Sequence, residues 1–389
     1  MYTSDVRHIA LVLPIRLEEN VGILRGISNY EREHTDWSFF LDDQAKSVAD
    51  PSWLFRRHWD GVICRHLDPR LLKECIKRKV PCVDLEDTPV YFDGVPKIRP
   101  DNYALGNLAG EHFIDRGFKH FGYCGFSSEN WSVERRKGMC EAVEEVGHEC
   151  SIMDTVYSHE LDPGWDIREQ TIIQKWIEGL PKPVAIMACN DMRALQVMEA
   201  VHTAGFKIPE DVAVIGSNNE TCRVRLAHPA LSSIPMNLEE WGYLGAKALD
   251  LVMEGKEAEK EVFIEPLPVI VRRSTEVLAV EDPVVSKALQ IIHEEACEML
   301  RVEELSKRVS VSRSVLERRF RKFLRKSPQE EIRSVKIAEA KKLLIETDKP
   351  LVEIAELIGF EHPEYLSVMF KRLTGEPPSE FRNKNRRPE

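Results

Sequence analysis

The chain has 389 residues, more than one domain of typical size, and its formal net charge of −11 argues against a protein that coats nucleic acid over its whole surface. The charge is divided unevenly, because residues 281–389 hold 22 Lys and Arg against 20 Asp and Glu, which leaves 32 against 45 for residues 1–280. The last part therefore has a net charge of +2 and the first part −13, and we expect two domains with different tasks.

The nine cysteines include no CxxC pair and no Cys/His spacing of a zinc site, so we expect reduced thiols, no metal and no cofactor. The sequence has no apolar signal segment and no long uncharged apolar run, so we expect neither export nor membrane insertion. Reduced thiols fit a cytoplasmic protein.

Short apolar strands alternate with amphipathic helices through the first part, which is the pattern of parallel sheets covered by helices. We predict strands over residues 8–13, 37–41, 61–64, 81–84, 120–124, 184–188 and 212–215. This number of strand–helix units is larger than one small sheet usually contains. We therefore predict a doubly wound α/β domain of two lobes over residues 1–275, with a ligand cleft at the carboxyl ends of the strands. A linker is predicted over residues 276–286, in which Pro283 suits the first position of a helix.

Residues 287–389 are predicted to form an all-α domain that contains one small pattern twice, with the spacing of a helix-turn-helix. The buried stripe of the second helix is Leu316 and Phe320 in the first copy and Leu366 and Phe370 in the second, where Gly359 occupies the turn. The offset between the copies is 49 residues before the turn and 50 after it. Two such units in one chain indicate DNA binding.

The second helix of the first copy, predicted over residues 313–325, carries much of the positive charge of this domain. Its cations are Arg313, Arg318, Arg319, Arg321, Lys322 and Arg325, and its one acid is Glu317. Phosphate contact and guanine reading both require cations. A basic run alone is more often a solvated helix face, but its place on the second helix of a helix-turn-helix favours DNA contact.

A helix over residues 328–347 is predicted to join the two copies, because a proline opens it and apolar residues recur near a helical repeat. Such a helix is about 30 Å long at 1.5 Å per residue. Successive major grooves on one face of B-DNA are roughly 34 Å apart, so one chain could place two recognition helices in adjacent grooves.

Several stretches of the sequence are shared with known families. In the first part they are Arg-Pro-Asp-Asn at 99–102, Glu-Arg-Arg-Lys-Gly at 134–138, Ala-Cys-Asn-Asp at 188–191, Pro-Glu-Asp-Val-Ala-Val-Ile-Gly at 209–216 and Arg-Arg-Ser-Thr at 272–275. Through them residues 8–275 resemble the sugar-binding core of the LacI/GalR repressors, which is similar to periplasmic sugar-binding proteins. Residues 283–383 resemble the AraC/XylS DNA-binding domain, through the repeat and the stretch Phe-Lys-Arg-Leu-Thr-Gly-Glu-Pro-Pro at 370–378.

This combination implies a bacterial, nucleoid-associated regulator that responds to a sugar and activates pentose-utilisation genes, with D-xylose as the first candidate effector. LacI-type cores pair side by side, so the resemblance also implies a homodimer. Double-stranded operator DNA is the implied macromolecular partner, with RNA polymerase as a further one.

The resemblance places the effector contacts on Asp101, Arg135, Trp165, Asn190 and Asn218. Carboxylate and amide groups bond sugar hydroxyls, a guanidinium bridges two adjacent oxygens, and an indole covers the apolar face of a pyranose. Each residue also has an ordinary alternative: a surface arginine, a core tryptophan, or an asparagine that only caps a helix. The family commonly has aspartate where this chain has Asn218, and an amide changes which hydroxyl pattern binds best.

On the DNA side, the predicted contacts fall on both copies of the motif. In the first they are Arg313, Ser314, Glu317 and Arg318 toward bases and Lys322 toward phosphate, and in the second His362, Glu364 and Ser367. The second helix of the second copy is nearly uncharged until Lys371, so we expect it to add position and modest base reading.

Other functions stay open at this point. The chain could regulate the operon of another monosaccharide or a sugar acid. A cytosolic sugar-binding protein without a role in transcription is disfavoured by the basic helix. A sugar-converting enzyme is disfavoured because the sequence has neither a GxxxxGK[ST] phosphate loop nor a GxSxG nucleophile elbow.

Overall fold

The computed structural model describes residues 6–14, 18–44, 46–65, 68–158, 163–276, 282–298, 300–324, 326–347, 349–360 and 362–385. The chain divides into two compact units, residues 1–277 and 278–389. A helix begins at Pro283, inside the predicted linker 276–286, and residues 277–281 of that linker lie outside the described ranges.

The first unit contains eleven strands and ten α-helices among its described residues. The strands are β1 (Arg7–Val12), β2 (Trp37–Leu41), β3 (Gly61–Cys64), β4 (Cys82–Asp84), β5 (Lys97–Pro100), β6 (Phe121–Phe126), β7 (Cys150–Thr155), β8 (Val184–Ala188), β9 (Val212–Ser217), β10 (Ser232–Ile234) and β11 (Glu261–Ile264). The helices are α1 (Glu18–His34), α2 (Lys46–Ala49), α3 (Pro51–Leu54), α4 (Arg70–Arg78), α5 (Asn102–Ile114), α6 (Asn130–Glu145), α7 (Pro163–Gly179), α8 (Asp191–Thr203), α9 (Thr221–Leu226) and α10 (Leu238–Met253).

These strands form two parallel sheets, in the orders β11-β5-β4-β3-β1-β2 and β10-β9-β8-β6-β7. The chain passes from the first lobe to the second after β5, returns after β10, and passes again after β11 to a short 3-10 turn, Arg273–Thr275, beside β9. α5 packs on α6, and α10 packs on α1. The predicted two-lobed, doubly wound α/β fold is confirmed.

All seven predicted strands are present, with ends shifted by two residues at most. Four further strands, β5, β7, β10 and β11, were not predicted. Three of them, β7, β10 and β11, are edge strands. The fourth, β5, carries Lys97 and Arg99, two charged residues that are buried.

All regular secondary structure in the described part of the second unit is helical. Its helices are α11 (Pro283–Glu295), α12 (Val302–Arg308), α13 (Arg313–Leu324), α14 (Pro328–Glu346), α15 (Leu351–Leu357), α16 (Pro363–Thr374) and α17 (Pro378–Asn385), with a 3-10 turn at Ala296–Glu298. The pairs α12–α13 and α15–α16 are the two predicted helix-turn-helix motifs. Arg325, the last residue of the predicted basic helix, lies outside the described residues.

α14 joins the two motifs as predicted. It begins at Pro328 with a capping box, in which the Ser327 side chain accepts from the Glu330 N–H and the Glu330 carboxylate accepts from the Ser327 N–H. Its 19 residues make it about 28 Å long. Leu316 and Phe320 are buried in one apolar cluster and Leu366 and Phe370 in another, so each motif has its own core.

No described helix is both long and apolar enough to span a bilayer. Within the same residues, no group of three or more His, Cys, Asp or Glu side chains is arranged to hold a metal ion.

Candidate functional site

Polar side chains gather where strands of both lobes end. Asp101 and Asn102 follow β5 directly, Asn190 lies two residues after β8, and Asn218 follows β9. The carboxyl ends of parallel strands share one edge of a sheet, so each lobe presents its set at one edge. The cleft between the two lobes was predicted at these edges.

Arg135 of α6 is the centre of this cluster, although its side chain is only 3% exposed. Its Nε donates to Asn102 Oδ1 at 2.9 Å, and its Nη1 donates to the Cys189 carbonyl at 2.6 Å, to Ser217 Oγ at 2.9 Å and to Asn218 Oδ1 at 3.2 Å. One guanidinium thus joins α5, the end of β8 and the end of β9. Arg135 is therefore not the exposed helix residue that a charged run of sequence also allowed.

The position of Arg135 is fixed from behind by close helix packing. A Cβ atom on Gly106 of α5 would lie 1.9 Å from the Arg135 carbonyl oxygen, so only glycine lets α5 approach α6 this closely. The backbone of the central arginine is therefore held against the helix that starts at Asn102.

Asn218 connects the two lobes. Its Nδ2 donates to Glu19 Oε1 of α1 at 2.8 Å, while the other oxygen of Glu19 accepts from Arg65 Nη2 at 2.7 Å. An aspartate at position 218 would have no proton to donate and would place two carboxylates together. The amide that departs from the family pattern is thus explained by its carboxylate partner across the cleft.

Asp101 and Asn190 both cap helices. Asp101 Oδ1 accepts from the Ala104 N–H at 2.8 Å at the start of α5, and Asn190 Oδ1 accepts from the Arg193 N–H at 2.8 Å at the start of α8. The capping role that the sequence left as an alternative for Asn190 is real, and Asp101 has the same role, which the sequence analysis did not consider. Each cap uses one of the two polar atoms of its side chain, so a cap does not exclude a ligand contact.

Trp165 of α7 belongs to an aromatic group that reaches Arg135 through Phe126 and Trp131, whose ring centres are 6.4 Å apart. Its ring centre lies 6.2 Å from that of Phe126, at the end of β6, and 5.9 Å from that of Tyr157. Trp131 lies 5.0 Å from the Arg135 guanidinium. The structure therefore brings Arg135 and Asn218 into direct contact with each other, and places Trp165 beside aromatic rings rather than beside those two.

Residues that the sequence analysis missed also belong to the cluster. Arg65 follows β3 directly, its guanidinium lies 4.9 Å from the Trp241 ring, and its buried Nε has no hydrogen-bond partner among the described residues. Asp87 accepts from Asn102 Nδ2 at 2.5 Å and from Arg99 Nη1 at 3.1 Å, and burial raises the pKa of its carboxyl. The signal that could have found Arg65 is its place immediately after a predicted strand.

Asp191, next to Asn190, is completely buried. It accepts from Ser233 Oγ at 2.6 Å and from the Glu220 N–H at 2.7 Å. Burial is the largest cause that raises the pKa of this carboxyl, to about 7. Its side chain is committed to these two partners and supports the ends of β9 and β10 from behind.

In the second unit, α13 presents only part of its positive charge outward. Arg319 forms two hydrogen bonds to the Asp282 carboxylate, at 2.7 and 2.9 Å, where Asp282 caps α11. Arg313 donates to Glu317 Oε1 at 2.9 Å and also pairs with Glu303. Arg319 therefore holds two helices together, whereas Arg318, Arg321 and Lys322 are exposed.

The other predicted DNA contacts lie at the starts of the two second helices. Ser314 is exposed, and its Oγ lies 3.2 Å from that of Ser312. On α16, His362 and Glu364 are exposed, whereas the Ser367 hydroxyl donates to the Pro363 carbonyl one turn earlier. Tyr365 and Val368, which the sequence analysis passed over, are the most exposed large apolar residues among the described residues of this unit.

Comparison with known proteins agrees with this architecture. Residues 111–275 match the model of a periplasmic binding protein-like domain, and residues 305–384 match that of a helix-turn-helix domain. The xylose operon regulatory protein of Haemophilus influenzae is 28% identical over 98% of this chain and 99% of its own length. That of Escherichia coli is 27% identical over 99% of both chains.

Solved structures agree with this fold. That of the xylose-binding transcription activator xylR covers 100% of both chains with a TM-score of 0.74 and 26% identity. A complex of the transcriptional regulator CelR with cellobiose covers 69% of this chain and 84% of its own, with a TM-score of 0.57 and 22% identity, and shares the fold. These relatives are regulators rather than enzymes. The chain is thus a DNA-binding transcription regulator that is similar over its whole length to the xylose operon regulatory proteins, with a periplasmic binding protein-like domain followed by a helix-turn-helix domain.

Proposed function

We propose that a small aldose, with D-xylose the first candidate, binds between the two lobes and changes how the helix-turn-helix units engage an operator of pentose-utilisation genes. The observation that carries the proposal is the buried Arg135, whose partners come from α5, β8 and β9 at the strand ends. The names of the full-length relatives support xylose as the first sugar to test.

The cluster has hydrogen-bonding capacity to offer a sugar. Arg135 Nη2 contacts Met236 Sδ at 3.7 Å, a weak acceptor that a sugar hydroxyl would replace to advantage. Arg65 Nε is a second buried donor that a sugar could use. It has no partner in the described chain, and burying it unbonded costs free energy that a ligand oxygen would recover. Trp165 and Trp131 would cover the apolar face of the ring.

Binding regulates only if the sugar prefers one arrangement of the lobes. The Glu19–Asn218 hydrogen bond crosses the cleft and holds one such arrangement. Glu18 adds a second crossing contact, because its carboxylate accepts from the Thr221 N–H at 3.1 Å. A sugar that inserted between these groups would exchange protein–protein bonds for protein–sugar bonds, and so would bias the lobe arrangement.

The ligand test is titration calorimetry of the full-length protein with pentoses, hexoses and sugar acids, beginning with D-xylose. Asp101→Asn keeps a good cap for α5 while removing the charge, so its effect isolates the sugar contact. We expect it to lower affinity for the identified sugar about tenfold or more, the equivalent of one charged hydrogen bond. Trp165→Leu should weaken binding to a similar extent.

Trp53→Leu is the matched control, since Trp53 packs on Phe40 in the first lobe, away from the cluster. It should leave affinity unchanged. If Asp101→Asn and Trp165→Leu both bind the identified sugar as wild type does, the effector site is elsewhere. If no sugar in the panel binds, the sugar-responsive part of the proposal is wrong.

On the DNA side, we propose that Arg318 reads a guanine edge and that Lys322 contacts phosphate, with Arg313, Ser314 and Glu317 as the other base-facing residues of the first unit. Arg318→Ala should cost roughly 1–3 kcal/mol on an operator selected from random duplexes and relax preference at one base pair. Lys322→Ala should weaken operator and random DNA alike and reduce the salt dependence. Equal losses on both DNAs for both variants would mean that α13 is only a phosphate clamp.

Assembly and activation complete the proposal. A homodimer formed through the first unit would present two double-headed DNA domains to a repeated operator, and contact with RNA polymerase would give activation at the nucleoid. Sedimentation of the full chain at micromolar concentration, with and without the sugar, tests the dimer. A monomer under both conditions would refute it.

A further inference from the structure

We infer that the second helix-turn-helix unit reads thymine methyl groups, through Val368 with Tyr365 beside it. This inference rests on the proposed DNA binding and specifies which base feature the second unit recognises. It differs from the expectation that this unit reads DNA through His362, Glu364 and Ser367.

The internal repeat sets the register between α13 and α16. Leu316 and Leu366 are both completely buried, and so are Phe320 and Phe370 four residues further along each helix. A 50-residue offset therefore superimposes the two helices position by position. Val368 then occupies on α16 the position that Arg318 occupies on α13.

Both of these positions point away from the core of their own motif. Arg318 is exposed, and Val368 is 70% exposed, the highest value among the large apolar side chains of the described second unit. Tyr365, one turn before Val368 on the same face, is 67% exposed. A single exposed apolar residue needs no explanation, but two adjacent ones at the base-facing register of a recognition helix do.

The chemistry of Val368 restricts what it can recognise. Its side chain has neither donor nor acceptor, so it cannot bond the polar edge of guanine, adenine or cytosine. The apolar group that bases present in the major groove is the C5-methyl of thymine. Polar alternatives on α16 are weaker, since the Ser367 hydroxyl is bonded to its own helix.

The charges around Val368 are also those expected of a helix that lies in the major groove of DNA. Lys371 and Arg372 lie three and four residues further along, on the same side of α16, and both are exposed. Cations at that end can contact phosphates while the apolar pair lies against base edges. The two units therefore differ in chemistry: the first has a guanidinium at the base-facing position and the second has methyl groups.

The test removes single methyl groups from the DNA. An operator is selected from random duplexes with the full-length protein, and each thymine of the half bound by the second unit is replaced in turn by uracil, which differs only by that methyl. Binding is measured by fluorescence anisotropy at fixed salt. We expect one or two replacements to weaken wild-type binding roughly three- to tenfold, as the loss of one or two apolar contacts implies. Val368→Ala should bind the unmodified operator more weakly and respond less to those same replacements.

Two controls define the outcome. Thymine-to-uracil changes in the half bound by the first unit should have little effect. Val352→Ala, which alters another exposed valine of the same unit on α15, should bind and discriminate as wild type does. If the protein binds its operator but no uracil replacement weakens binding, the inference is overturned while the proposed DNA binding stands. If Val368→Ala keeps full discrimination but loses transcription activation, Val368 contacts a protein instead. Failure to select any duplex would overturn both.

Discussion

His112 should make the stability of the first unit depend on pH. The imidazole is 7% exposed at the end of α5, and its Nε2 lies 3.0 Å from Thr275 Oγ1. The Thr275 hydroxyl donates to Ser232 Oγ, which donates in turn to the Arg272 carbonyl. Thr275 therefore accepts from His112, which places a proton on Nε2.

Burial, with the nearby Arg116 guanidinium as the second cause, lowers the pKa of His112 to about 3. In the unfolded chain the pKa is about 6.5, so between these values the unfolded state takes up a proton that the folded state does not. The stability of the first unit should therefore fall as pH falls through about 6.5. Between pH of about 7.5 and about 5.5 the loss due to His112 is about 1.4 kcal/mol.

The perturbation is His112→Gln, whose amide can still donate to Thr275 but does not titrate. All seven tryptophans lie in the first unit, so tryptophan fluorescence during urea unfolding of the full-length protein reports that unit alone. Asp191, with its raised pKa, contributes in the opposite direction in both proteins and cancels in the comparison. Wild type should lose about 1.4 kcal/mol more than the variant on going from the higher to the lower pH. Equal losses would refute a buried neutral His112.

Two other changes should separate structural roles. Lys97 is 1% exposed, and its Nζ lies 2.7 Å from Asp84 Oδ2. Lys97→Met should therefore destabilise the first unit by about 3–5 kcal/mol in the same fluorescence assay. Adding Asp84→Leu should restore much of that loss. A loss below about 1 kcal/mol would contradict the buried pair. Gly359 has a φ of +69°, and a Cβ there would lie 2.4 Å from the Cys297 carbonyl oxygen. Gly375 has a φ of +87°, but the space around it is open. Gly359→Ala should therefore lower the melting temperature of the second unit, measured by circular dichroism, much more than Gly375→Ala does. If both variants lowered the melting temperature equally, the predicted steric contact between residue 359 and Cys297 would not exist in the protein.

The fold was predictable from sequence wherever a single local pattern of apolar residues identified a strand or helix. Runs such as residues 184–188 are apolar at every position because both faces of a central parallel strand are covered. β5 was not predicted for the opposite reason, since its charged residues are neutralised by partners on other segments: Lys97 pairs with Asp84, and Arg99 with Asp87, Glu134 and Glu261. Pairing across 162 residues leaves no local signal.

The candidate site was predictable only in part. Family resemblance pointed to Arg135 and Asn218, and the structure places them in contact. It could not point to Glu19, which lies 199 residues from Asn218 and is placed by the packing of α1. In the second unit, charge drew attention to Arg319, yet its guanidinium is committed to Asp282 at the start of α11. Sequence shows that a cation is present, but only the fold shows whether an acid already neutralises it.

α5 relates the cleft to the end of the first unit. Asn102 at its first residue bonds Arg135 and Asp87, and His112 in its last turn bonds Thr275. The helix has 13 residues, about 20 Å, and a helix of this length resists bending. A ligand that displaced Asn102 along the helix axis would therefore have to break the Thr275 contact or carry residues 272–275 with it. Since the first unit ends two residues after Thr275, the His112–Thr275 contact holds the segment through which the chain leaves this unit.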